Sequence, residues 1–172
     1  IRAFDLRNDT LYFVEESPAG DNVLFKYWKG WKVPIVKFDS TTIKEVLVTD
    51  TGIYIVTQEE LKGYSILAIR NTNKLDTLLS VPFAIGSLTC QKDTLYFAAN
   101  YENKWQIFQF DLSNRKVKTF ADDILCYYPA PSSSILYYIS IKEDGEIIKY
   151  IQKNSISEEL YMDSLNPDTH VL

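Results

Sequence analysis

Asp93-Thr94-Leu95-Tyr96-Phe97 repeats, letter for letter, the earlier Asp9-Thr10-Leu11-Tyr12-Phe13. A weaker copy, Asp50-Thr51-Gly52-Ile53-Tyr54-Ile55, lies midway, so that Leu11, Ile53 and Leu95 stand 42 residues apart. A fourth copy, Ile135-Leu136-Tyr137-Tyr138-Ile139, follows at nearly the same step. Self-similarity at a period of about 40–45 residues marks a propeller-type repeat, each period being one blade of four strands. The spacing predicts an all-β chain, a β-propeller built of about four four-stranded antiparallel blades.

Four short runs recur in every period. The first begins at Ile1, Ile43, Ile85 and about Ile124 to Cys126. The second is the Leu-Tyr-Phe run: Leu11 to Val14, Ile53 to Val56, Leu95 to Ala98 and Leu136 to Ile139. The third covers Leu24 to Tyr27, Ile66 to Ile69, Ile107 to Phe110 and Ile147 to Tyr150. The fourth is more polar: Lys32 to Val36, Lys74 to Leu79, Lys116 to Phe120 and about Glu158 to Tyr161. β-branched and aromatic side chains dominate the runs and suit a pleated, half-buried surface. Gly, Asp, Asn and Ser gather between them, where turns need them. The second run is apolar on consecutive positions, which predicts burial on both faces. The fourth meets water, and its lysines guard an exposed edge.

The blades fall at about 1–42, 43–84, 85–123 and 124–165, with 166–172 leading out to a further blade or tail. The chain opens at Ile1, already within a strand, and rings of six to eight blades are commoner than rings of four. The expectation is a part of a larger ring, so further blades of the same parent chain join the candidate partners.

A chain of 172 residues can bury a sizeable core. Its net charge of −5 argues against a nucleic-acid partner, because phosphate binding needs a basic surface. No stretch is long and apolar enough to cross a membrane as a helix, and direct insertion is not expected. Cys90 and Cys126 occupy different repeat positions; two free, buried thiols are favoured, with a disulfide as the alternative. His170 stands alone, without a cysteine cluster to complete a metal site. No Gly-x-Ser-x-Gly elbow surrounds a serine, and no phosphate-binding glycine motif is present. No cofactor, metal or catalytic set is expected.

Asp93 to Asn100, followed by Gln106-Ile107-Phe108-Gln109-Phe110-Asp111-Leu112, resembles the bacterial TolB-type (WD40-like, PD40) propeller repeat. In that repeat an Asp-x-Leu-Tyr-Phe second strand precedes a short hairpin and an Ile-Tyr-rich third strand. Tyr127 to Tyr137 is similar to the Pro-and-Ser-containing stretch that opens such blades, with Ser132-Ser133-Ser134 replacing its Asp-Gly turn. The resemblance spans nearly the whole chain and is one of repeat type. It implies a binding platform that docks proteins or peptides, commonly extracytoplasmic (periplasm or cell surface). The same blades also form the non-catalytic gating domain of prolyl-oligopeptidase-like hydrolases.

Propeller topology sorts the charges. Hairpins joining second to third strands hold Glu15, Glu16, Asp21, Glu59, Glu60, Glu102, Glu143, Asp144 and Glu146. Inter-blade loops on the same face add Asp39, Asp122 and Asp123, offset by Lys62, Lys104 and Lys142. The opposite face receives Arg7, Lys29, Lys32, Arg70, Lys74, Lys92, Arg115, Lys116 and Lys153, diluted by Asp9, Asp50, Asp93 and Asp111. Such separation steers association, though turn solvation alone calls for similar residues. The most unusual local feature is Tyr27-Trp28-Lys29-Gly30-Trp31-Lys32, two tryptophans about a Lys-Gly turn. Exposed Trp beside Lys suits an interface hot spot, and packing at the blade rim is the plainer reading. Trp105, at the start of a third strand, reads as core or hairpin packing. The candidate partner-binding set is Glu15, Glu16, Trp28, Trp31, Glu59, Glu60, Glu102, Asp122, Asp123, Glu143 and Asp144. The function expected is a non-catalytic, protein-binding propeller scaffold in a larger extracytoplasmic assembly. Its alternatives are an accessory propeller of a hydrolase and a glycan- or small-ligand-sensing propeller.

Overall fold

The computed structural model describes residues 3–70, 74–120, 125–154 and 158–160, the last three by backbone alone. Among the described residues every regular element is a strand. The chain divides into two compact units, Ile1–Ser80 and Val81–Leu172.

The first unit holds two antiparallel sheets. Sheet 1 is β1 (Phe4–Arg7), β2 (Thr10–Glu16), β3 (Asn22–Trp28) and β4 (Trp31–Phe38), in that order. Sheet 2 is β5 (Thr41–Val48), β6 (Ile53–Glu59), β7 (Gly63–Ile69) and β8 (Leu75–Val81). Connections as short as Asn8-Asp9 and Lys29-Gly30 make each sheet an up-and-down meander. In both turns the two central residues have positive φ (48° and 58°; 47° and 87°), the twist that suits adjoining strands. Cross-strand partners share a face. Phe4, Leu6, Leu11, Phe13, Phe25 and Tyr27 therefore lie on one side of sheet 1, and Tyr12, Val14 and Leu24 on the other. Val14 and Leu24, with Ala3, meet Ile43, Val46, Val48, Ile55, Leu67 and Ile69 of sheet 2 in one buried core. Two side chains clip the sheets together. Asp5 Oδ2 accepts the Val48 N–H at 2.6 Å, and buried Asn22 Oδ1 accepts the Ile43 N–H at 3.3 Å.

The second unit begins with β9 (Ile85–Gln91), β10 (Thr94–Tyr101), β11 (Lys104–Asp111) and β12 (Val117–Thr119), which form sheet 3. Sheet 4 is β13 (Cys126–Pro131), β14 (Ile135–Lys142) and β15 (Gly145–Gln152). Tyr96, Ala98, Ile107 and Phe120 of the first meet Cys126, Leu136 and Tyr138 of the second in its core, flanked by Trp105. Trp105 stacks on Tyr127 with ring centroids 5.0 Å apart.

The repeat predicts the four strands of each of the first three periods, and the first three of the fourth, within a few residues. The fourth period departs from it. β16 (Glu158–Leu160) does not complete sheet 4 but pairs with β12 as a fifth strand of sheet 3, in the register Val117↔Leu160. Both β12 and β15 offer an unpaired edge. Beside β12 the new ladder adjoins the buried Val117 and Thr119, whereas β15 is exposed at most positions, so pairing there adds hydrogen bonds without a core beneath them. Burial on both faces holds for β6 and β10, with Tyr54 to Thr57 and Leu95 to Ala99 buried in succession. In β14 burial alternates: Leu136, Tyr138 and Ser140 are covered and Tyr137 is exposed.

Candidate functional site

In the first unit, the sequence-derived acidic edge is largely neutralised. Glu15 pairs with Lys32 (2.5 Å), Asp21 and Asp39 share Lys37 (2.9 and 3.0 Å), and Glu59 pairs with Lys62 (2.7 Å). The Lys37 hydrogen bond holds the Asp21 carboxyl below the usual aspartate range, and Asp21 in turn raises Lys37. Lys32, which the topology argument assigns to the opposite charge set, reaches Glu15 across the open face of sheet 1. A side chain of four methylenes spans neighbouring strands, so loop position alone does not place its charge. Glu16 and Glu60 are exposed at their hairpins, and Glu60 forms no ion pair among the described residues.

Trp28 and Trp31 face each other across the Lys29-Gly30 turn as a register pair. Trp28 is 47% and Trp31 73% exposed, and Lys29 Nζ lies 4.6 Å from a Trp28 ring centroid. Beside them Lys32 Nζ sits 4.1 Å from the Phe25 centroid and 5.5 Å from that of Phe13, whose rings stack at 5.7 Å. Sheet 1 thus presents an aromatic surface with one ion pair lying over it.

Between sheets 1 and 2 a solvent-open cleft of about 290 Å³ has an apolar floor of Ile35, Val48, Ile53 and Ile69. Tyr12, Lys26, Thr49, Asp50 and Arg70 complete its wall. Asp50 is taken by Arg7 at 2.5 Å, while Lys26 and Arg70 form no ion pair among the described residues. Gly52 shapes the cleft: a Cβ there would meet the Ile69 carbonyl at 2.8 Å. Sequence reading missed this cleft, because its residues come from six strands and turns that only the fold assembles.

In the second unit Glu102 lies at the β10–β11 turn and Glu143 and Asp144 at the β14–β15 turn, all exposed. Asp122 and Asp123 lie outside the described residues. Asp111 builds a turn of its own. Its Oδ1 accepts the Ser113 hydroxyl at 2.6 Å and the Ser113 N–H at 2.8 Å, and these bonds lower its pKa below the usual aspartate range. Lys153 joins the sheets of this unit, donating to Gln91 Oε1 and the Ser132 carbonyl, while burial and the nearby Lys92 charge lower its pKa. Both cysteines are free: Cys126 is buried, and burial, with the Asp93 charge, pushes the Cys90 thiol up to about 11. Among the described residues no cluster of His, Cys, Asp and Glu could hold a metal ion.

No protein-family model and no curated protein matches the chain. Solved structures do. A Mycobacterium tuberculosis puromycin-hydrolysing peptidase superposes with a TM-score of 0.67 at 12% identity, covering 92% of this chain and 30% of that one. TolB from Acinetobacter baumannii gives 0.67 at 18% identity over 88% of this chain and 41% of its own. The AtxE2 isopeptidase gives 0.54 at 13% identity over 90% and 26%. The chain therefore spans less than half the length of each of these three structures. At such identities the likeness is one of fold, and in fold the chain is a run of β-propeller blades, similar to those of the structures it matches.

Proposed function

We propose that the chain is a non-catalytic propeller module that binds another protein or peptide, as part of a larger extracytoplasmic assembly. The observation that carries this reading is the Trp28–Trp31 pair: two large rings held in the open at a rigid two-residue turn, beside Lys29. Exposed, preorganised Trp contributes contact area at little entropic cost, which is the character of interface anchors. The acids that keep their charge available, Glu60 in one unit and Glu102, Glu143 and Asp144 in the other, are suited to steering a basic partner. Their reversal to Lys should slow capture and weaken its salt dependence. Trp28→Ala with Trp31→Ala should abolish cross-linked capture of the partner from the parent cell. Capture unchanged in both variants would sink the reading.

Two observations favour other readings. Likeness to the puromycin-hydrolysing peptidase supports an accessory gating propeller of a hydrolase, and an α/β-hydrolase sequence in the parent polypeptide would establish it. The cleft of sheets 1 and 2 supports ligand sensing: Lys26 and Arg70 above an apolar floor suit a small anionic ligand with an apolar body. Titration against a panel of glycans and aryl carboxylates, with Lys26→Gln as control, separates this from protein docking.

A further inference from the structure

The repeat predicts the same space between sheets in both units, and the two are filled differently. Tyr12 pairs with Lys26 in sheet 1, and Tyr96 with Gln109 at the equivalent register of sheet 3. In the second unit Lys153 spans the space beside Tyr96. Its ammonium lies 5.0 Å from the Tyr96 ring centroid and donates to Gln91 of sheet 3 and to the Ser132 carbonyl at the edge of sheet 4. By the repeat its counterpart in the first unit is Asn71, shorter and uncharged. There the space beside Tyr12 is the solvent-open cleft of about 290 Å³. Glycine helps to keep it so. The residue before each second-strand apolar run is Thr10, Gly52, Thr94 and Ile135, and only sheet 2 has no side chain at that place. A Cβ on Gly52 would stand 2.8 Å from the Ile69 carbonyl oxygen and 3.5 Å from Arg70 Cγ, two residues of the cleft wall. The cleft lies within the first unit, on the face of sheet 1 that sheet 2 covers.

Its charge is one-sided. Asp50, the one acid of the lining, is held by Arg7, while Lys26 on one wall and Arg70 on the other form no ion pair among the described residues. Their counterparts in the second unit are the neutral Gln109 and Gln152. Two cations left together above apolar side chains concentrate a field that an anion relieves. The volume stands at the lower end of the range for ligand sites, about 300–1,000 Å³, so the cleft holds one residue of a peptide and not a long stretch. A residue that carries both an apolar side chain and a carboxylate is the last of its chain. The way out is marked as well. Val33 lies opposite Lys26, and Trp28 opposite Trp31, on this same face of sheet 1. The Trp pair is two positions further along, about 7 Å at the rise of a strand, and all three side chains are exposed.

We propose that the cleft takes the C-terminal residue of a partner polypeptide. Its apolar side chain rests on the floor of Ile35, Val48, Ile53 and Ile69, its α-carboxylate sits between Lys26 and Arg70, and the preceding residues leave over Val33 and the Trp28–Trp31 pair. The inference rests on the protein-binding reading above and names the part of the partner that this reading leaves open.

The test is fluorescence anisotropy with dye-labelled hexapeptides, Leu or Phe fixed in the last place and the rest degenerate, each made as the free acid and as the C-terminal amide. The acids should bind the purified protein about tenfold or more tightly than the amides. Lys26→Gln and Arg70→Gln, both at exposed positions, should each bring the acids close to the amides and leave the amides unchanged. Trp28→Ala with Trp31→Ala should weaken acids and amides alike. N-acetylphenylalanine keeps the cleft contacts and has nothing to lay on the Trp pair, so it should bind more weakly than the hexapeptides and be indifferent to the Trp variant. Unchanged melting midpoints check the fold of each variant. Equal binding of acid and amide, or no binding of either, overturns the proposal; loss of partner capture in the Trp variant would then leave the protein-binding reading standing. N-acetylphenylalanine binding as tightly as the hexapeptides makes the cleft a site for small carboxylates and overturns the proposal as well. A Trp variant that binds the acids as the wild type does overturns it together with the reading it rests on.

Discussion

β2 and β6 carry versions of one motif, yet they meet different surroundings. Ile55 of β6 is fully buried, in one core with Val14, Leu24, Val46 and Leu67. Phe13, its equivalent in β2, is shielded by the Phe25 ring and by Lys32 reaching over to Glu15. The repeat supplies the strand and its apolar face; what covers the face is decided residue by residue. The covered face of sheet 2 is built of Ile, Val and Leu. The corresponding face of sheet 1 sets Phe4, Phe13, Phe25 and Tyr27 beside Leu6 and Leu11, and Lys32 lies over the Phe13 and Phe25 rings.

The largest effect should come from breaking the covered side. Ile55→Ala leaves a cavity in the first unit and should cost about 2–5 kcal/mol in a urea melt. Leu6→Ala, on the open face, should stay within about 0.5 kcal/mol in dilute solution. Equal costs at the two positions would show that the open face is covered too. Next comes the polar clip: Asn22→Ala strands the Ile43 N–H in the core and should cost about 1–3 kcal/mol, read from the same melts. Gly52→Ala forces a Cβ toward the Ile69 carbonyl at a φ of 155°, and should destabilise the first unit by more than about 1 kcal/mol. The same substitution should narrow the cleft and weaken any ligand bound through Lys26 and Arg70. The smallest effect is a pH dependence in the second unit. The Asp111 carboxyl is depressed by its bonds to Ser113 and Asn114. Its contribution is present above the ordinary aspartate value of about 4 and is lost as pH falls through the lower folded value. Asp111→Ala should flatten the acid limb of the stability profile slightly and leave neutral-pH binding unchanged.

Strand positions were legible because consecutive apolar residues at a fixed period leave little choice of structure. The second and third strands of every period follow from Leu11, Ile53, Leu95 and Leu136 and their partners. The hairpin at Lys29-Gly30 follows from a two-residue gap ending in glycine. The path of β16 did not follow, because two sheet edges were open to it and no local pattern distinguishes them. Nor did the pairing of Glu15 with Lys32, or the clips made by Asp5 and Asn22. These depend on side-chain reach and on backbone groups brought close by packing, which a loop-by-loop sorting of charge does not capture. Of the candidate site, the turn that carries Trp28 and Trp31 follows from the sequence, which leaves their exposure open between an interface and rim packing, whereas the cleft arises only when sheets 1 and 2 come together.

The two free thiols of the second unit have a kinetic consequence. A thiol whose pKa stands near 11 is almost wholly protonated at neutral pH, and only the thiolate attacks an alkylating reagent. Cys90 should therefore label slowly in the native protein, and Cys126 more slowly still, since it is buried. Their labelling rates become a clock for the breathing of that unit: as denaturant rises, the order in which Cys90 and Cys126 become reactive reports which sheet opens first.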